Sequence, residues 1–399
     1  MRQIRLGFFV AAMALLSGSA AAQKQYDAGA SDKEIKIGHT GPYSGPVSAF
    51  GAIGKSIGAY FDKVNAEGGV NGRIVKFISL DDGYNPAKTV ENTRKLVEQE
   101  EVLLLLGPLG TAHNTAIHKY MNDKKVPQLF LAAGNTKWGD PKNFPWTMGF
   151  QPTLEAEGKI FVSHLLETKP GGKVAILYQN DDFGKDYVKG IEAALGDKAA
   201  AMVVAKTTYE VTDPTIDSQM ISLKASGADV FFNLTTPKFA AMAIRKAADL
   251  GWKPQHYLSS ISVSVAATMT PAGLENGVGI ISAYYVKDPT DPQWQKGREW
   301  EDWLGWMKQY YPGGNLADGI NVFGYCMAQT MVQVLRQAGD NLTRGNIMKQ
   351  AASLDISLPM LIPGINVKTA VDDFYPIERE QLARFNGRTW DLFGKIYGR

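Results

Sequence analysis

The chain has 399 residues, with 42 Lys+Arg against 40 Asp+Glu and a formal charge of +2, so it lacks the basic excess of a nucleic-acid binder. A single cysteine, Cys326, excludes an internal disulfide, and His39, His113, His118, His164 and His256 show no ligand-like clustering. No cofactor or metal is expected, and the length calls for two cores rather than one.

The first 22 residues read as an export signal. Arg2 and Arg5 precede an apolar run at 6–16 that is too short to span a bilayer, and Ser19-Ala20-Ala21-Ala22 offers small-residue cleavage sites. No Cys follows the run, which argues against a lipid anchor. The mature chain is expected to be exported and soluble, with cleavage after Ala22. Subtracting two arginines and no acid leaves 40 Lys+Arg against 40 Asp+Glu, a formal charge of about zero. No later segment reaches the roughly 18 consecutive apolar residues of a membrane span.

Strand and helix patterns then alternate. Strands are predicted at 34–39, 74–80, 102–106 and 128–132, and helices at 50–66, 86–100 and 111–124. The run Leu103–Leu106, bounded by Gly107-Pro108, suits a central parallel strand. Asn85-Pro86 is a helix start, with Asn as cap and Pro at the first helical position. The pattern restarts after 145–153 with helix 154–167, strand 173–179, helix 183–196, strand 202–209, helix 215–226, strand 229–234 and helix 238–250. Strand 278–285, helices 294–310 and 317–338, and a hairpin turning at Asn386-Gly387 complete it. Two α/β units in series suggest two similar lobes around a cleft. Irregular stretches at 148–153, 282–287 and 358–365 read as crossovers between lobes, with ordinary surface loops as the alternative.

Several motifs mimic catalytic ones. Gly54-Lys55-Ser56-Ile57-Gly58 matches G-x-S-x-G, but Ser56 falls inside a helix and not on a strand-to-helix turn. The same Gly-Lys-Ser lacks the phosphate-loop glycine, since position 49 is Ala49. Gly51, Gly54 and Gly58 are read as close helix packing. Asp81-Asp82 sit on opposite faces of an extended strand and cannot converge on one atom, so a solvated strand end with capping roles is expected. Trp294, Trp300, Trp303 and Trp306 fit the packed face of an amphipathic helix, and Cys326 a buried small hydrophobe.

Loops at strand ends carry more information. After LLLLGP, the free N–H groups opening the helix at Thr111, with the Thr111 hydroxyl, form a seat for a carboxylate. After the next strand, Ala133-Gly134-Asn135 lets a ligand approach the backbone.

IKIGHTGPYSGPVSAFG, NAEGGVNGR, DDGYNPAKTVENTRKLV, LLLLGPLGTAHN, VPQLFLAAGN, KVAILYQNDDFGKDYVKGI and DPTIDSQMISLKASGADVFF resemble the periplasmic solute-binding proteins of the leucine/isoleucine/valine-binding type, which serve ABC importers. The resemblance covers essentially the whole mature chain. It implies an α/β fold of two Rossmann-like lobes with parallel-rich sheets, a three-segment hinge, closure on one small ligand, and docking to a membrane permease. The lobes are expected at 23–150 plus 284–360 and at 151–283 plus 361–399. A non-catalytic, periplasmic monomer of a Gram-negative bacterium is implied, without membrane insertion.

By residue, the resemblance assigns the ligand carboxylate to Thr111, with Ala133, Gly134 and Asn135 (in place of the usual Thr) beside it. Tyr43 and Phe50 come from the first loop, and Phe183 forms an aromatic wall from the second lobe. Amino-acid binders of this type place an acid after the strand HYL, where this chain has Ile261, and a tyrosine where it has Thr235 or Thr236. Burying an unpaired ammonium costs several kcal/mol. The expected ligand is therefore a carboxylate without an amine, aromatic or branched aliphatic. A branched-chain amino acid binder and a ligand-sensing module are the alternatives; a hydrolase lacks a nucleophile–base pair.

Overall fold

The structure, a computed structural model, describes residues 24–398; the predicted signal at 1–22 lies outside them. The short apolar runs build two parallel-rich sheets. The first holds β1 (Glu34–Gly41), β2 (Ile74–Asp81), β3 (Leu104–Leu106), β4 (Gln128–Leu131) and β5 (Thr147–Gly149), ordered β2-β1-β3-β4-β5 with every pair parallel. Leu104, Leu105 and Leu106 are fully buried, as a strand covered on both faces requires.

Its helices are α1 (Gly51–Ala66), α2 (Pro86–Arg94) and α3 (Thr111–Asp123). Asn85 caps α2 as its sequence predicts, accepting from Ala87 N at 2.9 Å and Lys88 N at 3.4 Å. The α-helix stops six residues short of the predicted end. A wider turn over Lys95–Gln99, closed by Glu100 N donating to Lys95 O at 3.0 Å, replaces it. Ser56 lies mid-helix and donates back to Ala52 O and Ile53 O, so no nucleophile elbow exists.

The second sheet is fed by α4 (Leu154–Thr168). It holds β6 (Val174–Gln179), β7 (Val203–Tyr209), β8 (Val230–Leu234), β9 (Gln255–Leu258), β10 (Ile281–Tyr284), β11 (Glu380–Phe385) and β12 (Trp390–Tyr397). Helices α5 (Asp182–Leu195), α6 (Asp217–Ala225) and α7 (Pro237–Asp249) connect its early strands. The order is β12-β11-β10-β9-β8-β6-β7, parallel from β10 to β7, with the β11–β12 hairpin antiparallel. At its turn, Asn386 Oδ1 accepts from Arg388 N and Thr389 N, both at 2.9 Å. β10 begins at Ile281 rather than 278 because Gly279 adopts φ +91°.

Helices α8 (Arg298–Tyr310) and α9 (Gly319–Ala338) leave the second sheet and pack on α1 of the first. Gly324 makes the α1–α9 approach possible, since a Cβ there would fall 2.0 Å from Ser56 Oγ. Trp303 and Trp306 are buried in this layer, and so is Cys326, whose thiol burial pushes up. The helix at Arg298 starts later than its tryptophan spacing suggests, because Gly297 sits at φ +82°.

The chain passes between the two units at three places: between β5 and α4, after β10, and before β11. The second and third crossings run antiparallel beside each other. Lys287 N donates to Met360 O at 2.9 Å and Ile362 N to Tyr285 O at 2.9 Å.

Candidate functional site: a cleft between the strand ends

Loops following the carboxyl ends of strands in both sheets converge on one cavity that opens to solvent, the kind of inter-sheet cleft in which small molecules bind. The first unit contributes Phe50, Ile53, Tyr84, Leu109, Thr111, Ala133 and Gly134; the second contributes Phe183, Thr236, Ser260, Ile261 and Ser264. The crossings add Gln151, Tyr284, Tyr285 and Asp288, and the start of α9 adds Ile320 and Phe323.

Seven of the nine residues proposed from sequence thus share this cavity: Phe50, Thr111, Ala133, Gly134, Phe183, Thr236 and Ile261. Tyr43 and Asn135 do not line it. The Tyr43 hydroxyl is turned onto Ser79 Oγ and its ring packs over Gly54; burial raises its pKa to about 12. Asn135 is held as a turn cap. It accepts from Lys137 N at 3.1 Å and donates to Asp182 O at 3.4 Å, so it bridges to α5 beside the cavity.

Thr111 opens α3 after Gly110, which has no side chain to cap the helix and sits at φ +96°. A Cβ on Gly110 would lie 2.5 Å from His113 Nδ1. The first turn of α3 therefore has no side-chain cap, and Gly110 and Thr111 line the cavity with a Thr111 hydroxyl that has no hydrogen-bond partner among the described residues. Such a helix end attracts a carboxylate. The Gly134 carbonyl is already used by Leu154 N at 2.8 Å and a Cβ there would fall 2.7 Å from Pro152 O, so its N–H is what remains for a ligand.

Tyr84 is one of the cavity residues that sequence reasoning passed over. Its position follows from Asp82, which the sequence suggested was solvated but which is fully buried. Asp82 accepts from Thr40 Oγ1, Thr89 Oγ1 and Tyr84 N, and these bonds bend the loop so that Tyr84 adopts φ +58°. Only Asp81 remains at the exposed strand end, accepting from Tyr43 N at 2.9 Å and Ser44 Oγ at 2.5 Å. The Tyr84 ring packs against His113, with centroids 4.1 Å apart and planes tilted by 40°. Its hydroxyl accepts from Gln179 Nε2 at 3.3 Å across the cleft, and a chain continues through Tyr209 to Thr236.

A second bridge closes the far rim. Lys137 Nζ meets Asp182 Oδ2 at 2.7 Å, and Thr136 donates to Asp186 from its N–H and its hydroxyl. Burial raises the Asp186 pKa against these bonds. The two units are thus held together around the cavity.

The wall opposite Thr111 is apolar at Ile261, which is half-buried between two hydrophobic clusters. Three carboxyl groups surround this wall, and each is engaged. Asp288 accepts from Thr290 N and from the Thr290 and Thr389 hydroxyls. Asp318 accepts from Ser264 Oγ at 2.7 Å and Ile320 N at 3.0 Å. Glu157 accepts from Ser260 N at 2.8 Å and Ser260 Oγ at 2.5 Å. Burial raises the pKa of all three, that of Glu157 to about 7. Among the described residues no group of three or more His, Cys, Asp or Glu side chains could hold a metal, and no helix is long and apolar enough to cross a membrane.

A family model described as "Periplasmic binding protein" matches residues 34–374. The chain is 23% identical over 285 residues to the Leu/Ile/Val-binding protein homolog 7 of Brucella suis, covering 69% of this chain and 68% of that one. Its fold is similar to that of a branched-chain amino acid ABC transporter protein from Thermus thermophilus solved with bound valine. The TM-score is 0.83 at 16% identity, over 92% of this chain and 97% of that one. It is also similar to a solute-binding protein from R. palustris in complex with 4-hydroxybenzoate, with a TM-score of 0.75 at 19% identity over 92% and 97%. At these identities the structures speak for the fold alone. The chain belongs to the periplasmic binding protein family, in its Leu/Ile/Val-binding branch, and is the extracytoplasmic, non-catalytic substrate-binding component of an ABC transporter.

Proposed function

We propose that this protein captures a small carboxylate lacking a free α-amine, aromatic or branched aliphatic, and delivers it as a monomer to its permease in the membrane. The carboxylate sits at the α3 N-terminus with the Thr111 hydroxyl. The body of the ligand lies between Phe50 and Phe183, with Ala133 and Gly134 beside it and Tyr84 across it. The observation that carries this reading is Ile261 in the cavity wall: an ammonium buried there would lose its water and meet no free carboxylate. A fold neighbour solved with 4-hydroxybenzoate is consistent with such a ligand. Calorimetry with benzoate, hydroxycinnamates and short branched acids, against leucine and valine, tests it. Micromolar or tighter binding of leucine or valine, with none of the acids bound, refutes it.

One observation favours a second reading, a branched-chain amino acid. The Asp288 carboxyl lines the cavity and could meet an ammonium if its threonine partners turned away. Asp288→Asn then abolishes amino acid binding; on the first reading it leaves acid binding within a few-fold.

A further inference from the structure

Three hydroxyl groups on the second unit's side of the cavity point their protons away from it. Ser260 Oγ donates to Glu157 Oε2, Ser264 Oγ to Asp318 Oδ1, and Tyr284 Oη to Val263 O. Each oxygen therefore turns lone pairs, not a proton, to the space it lines. Ser264 also accepts from Ala267 N, which leaves Ser260 and Tyr284 with no bond accepted, and of the two an alcohol oxygen is a better acceptor than a phenol oxygen.

The direction of the Ser260–Glu157 bond rests on which group holds the proton. Glu157 lies near a second buried carboxyl, Glu380, whose two oxygens have no hydrogen-bond partner among the described residues. Two adjacent buried carboxyls do not both ionise readily. The partnerless Glu380 keeps its proton, and burial and the neighbouring Glu157 charge push its pKa well up. Glu157 receives two hydrogen bonds from Ser260, which favour its charged form against a burial that holds its pKa at about 7, so above that pH it is the member of the pair that carries the charge. Its carboxylate then pulls the Ser260 proton inward.

We propose that the ligand carries a hydroxyl group at the end opposite its carboxylate, and that Ser260, polarised by Glu157, accepts its proton. This rests on the carboxylate reading above and extends it: the cleft selects hydroxylated acids over their unsubstituted parents. Ser260 touches the ligand, and Glu157 is a positioning residue. An ammonium is the weaker fit, since its three donors would meet neutral serine oxygens whose carboxylates are already hydrogen-bonded.

The test compares each acid with its own derivatives by calorimetry: benzoate, its 3- and 4-hydroxy and 4-methoxy forms, cinnamate and 4-hydroxycinnamate, and a branched aliphatic acid with its hydroxylated form. In the unmodified protein at least one hydroxylated acid binds about tenfold or more tighter than its parent and, for the ring acids, than its methyl ether, which can accept but not donate. Ser260→Ala brings that ratio below about threefold, whatever it does to the parent acid's own affinity. Glu157→Gln is more specific. Its Oε1 still accepts from Ser260 N, but its amide donates to Ser260 Oγ, so the serine proton turns toward the cavity. The methoxy acid then binds as well as or better than the hydroxy acid, an inversion that general loosening of the fold does not produce. If parent acids bind as tightly as their hydroxylated forms, or the ratio survives Ser260→Ala, the hydroxyl proposal falls while the carboxylate reading stands. If only leucine or valine binds, the carboxylate reading itself falls.

Discussion

Replacing Ile261 by Glu should convert the cleft from an acid binder into an amino acid binder. Ile261 lines the cavity and is packed by apolar side chains from both clusters. Losing that half-buried side chain costs about 1–2 kcal/mol of stability, so a melting curve must first show that the variant is folded. For leucine, the new carboxylate supplies the partner its ammonium lacks. Removing one member of a buried, hydrogen-bonded charge pair costs about 2–5 kcal/mol. Supplying it should recover about 2–3 kcal/mol, a gain of roughly 30- to 150-fold. For an acid with no amine, the same carboxylate must be desolvated against the ligand's apolar end, costing about 1–2 kcal/mol. The leucine-to-acid affinity ratio therefore shifts by about 3–5 kcal/mol, or two to three and a half decades. Calorimetry on two proteins and two ligands isolates that ratio and cancels effects common to both ligands. The reasoning fails if the unmodified protein already binds leucine at micromolar affinity. It also fails if folded Ile261→Glu keeps its acid and still ignores leucine.

Thr111→Val keeps the side chain's shape and removes only a hydroxyl that has no hydrogen-bond partner among the described residues. It should weaken carboxylate binding by about 10- to 100-fold, the range of a hydrogen bond to a charged group, without lowering the ligand-free melting temperature. In a second test, His256 is buried against Phe231, its Nε2 has no partner, and desolvation pushes its pKa down to about 3. The unfolded chain takes up a proton there below about 6.5 and the folded chain does not. Stability is thus present above pH 6.5 and is lost as pH falls toward 3, by about 2 kcal/mol between pH 8 and pH 5. His256→Phe, in urea unfolding at both pH values, should flatten the acid loss by that amount; an unchanged loss refutes the burial argument.

What the sequence made legible, and what it did not, follows from how far apart the cooperating residues lie. β1, β3 and β4 each run straight into the loop that serves the cavity, so Phe50, Thr111, Ala133 and Gly134 could be placed by reading forward from a buried run. The neighbouring tyrosines mark the limit. Tyr43 and Tyr84 both follow strand ends, and only the inward turn of Asp82, held by two threonines from other elements, sends Tyr84 rather than Tyr43 to the cleft. Asn135 was placed by its neighbours in the chain, yet its side chain is captured by the turn it caps. The crossings and α9 add Asp288, Tyr284, Ile320 and Phe323 through packing between distant segments, and no local pattern announces them.

Ile261 shows why the ligand question stays separable from the fold. A charge at that position is not needed to hold the second unit together, because the wall behind it is organised by Ser260 and Glu157 on one side and by Ser264 and Asp318 on the other. Those pairs keep their carboxylates one hydroxyl away from the cavity. Ionic recognition is thereby weakened to hydrogen-bond recognition. A cleft built this way can change its ligand from a zwitterion to a neutral-ended acid by a change at one wall position, without disturbing the strand ends, the crossings or the Lys137–Asp182 bridge between the units.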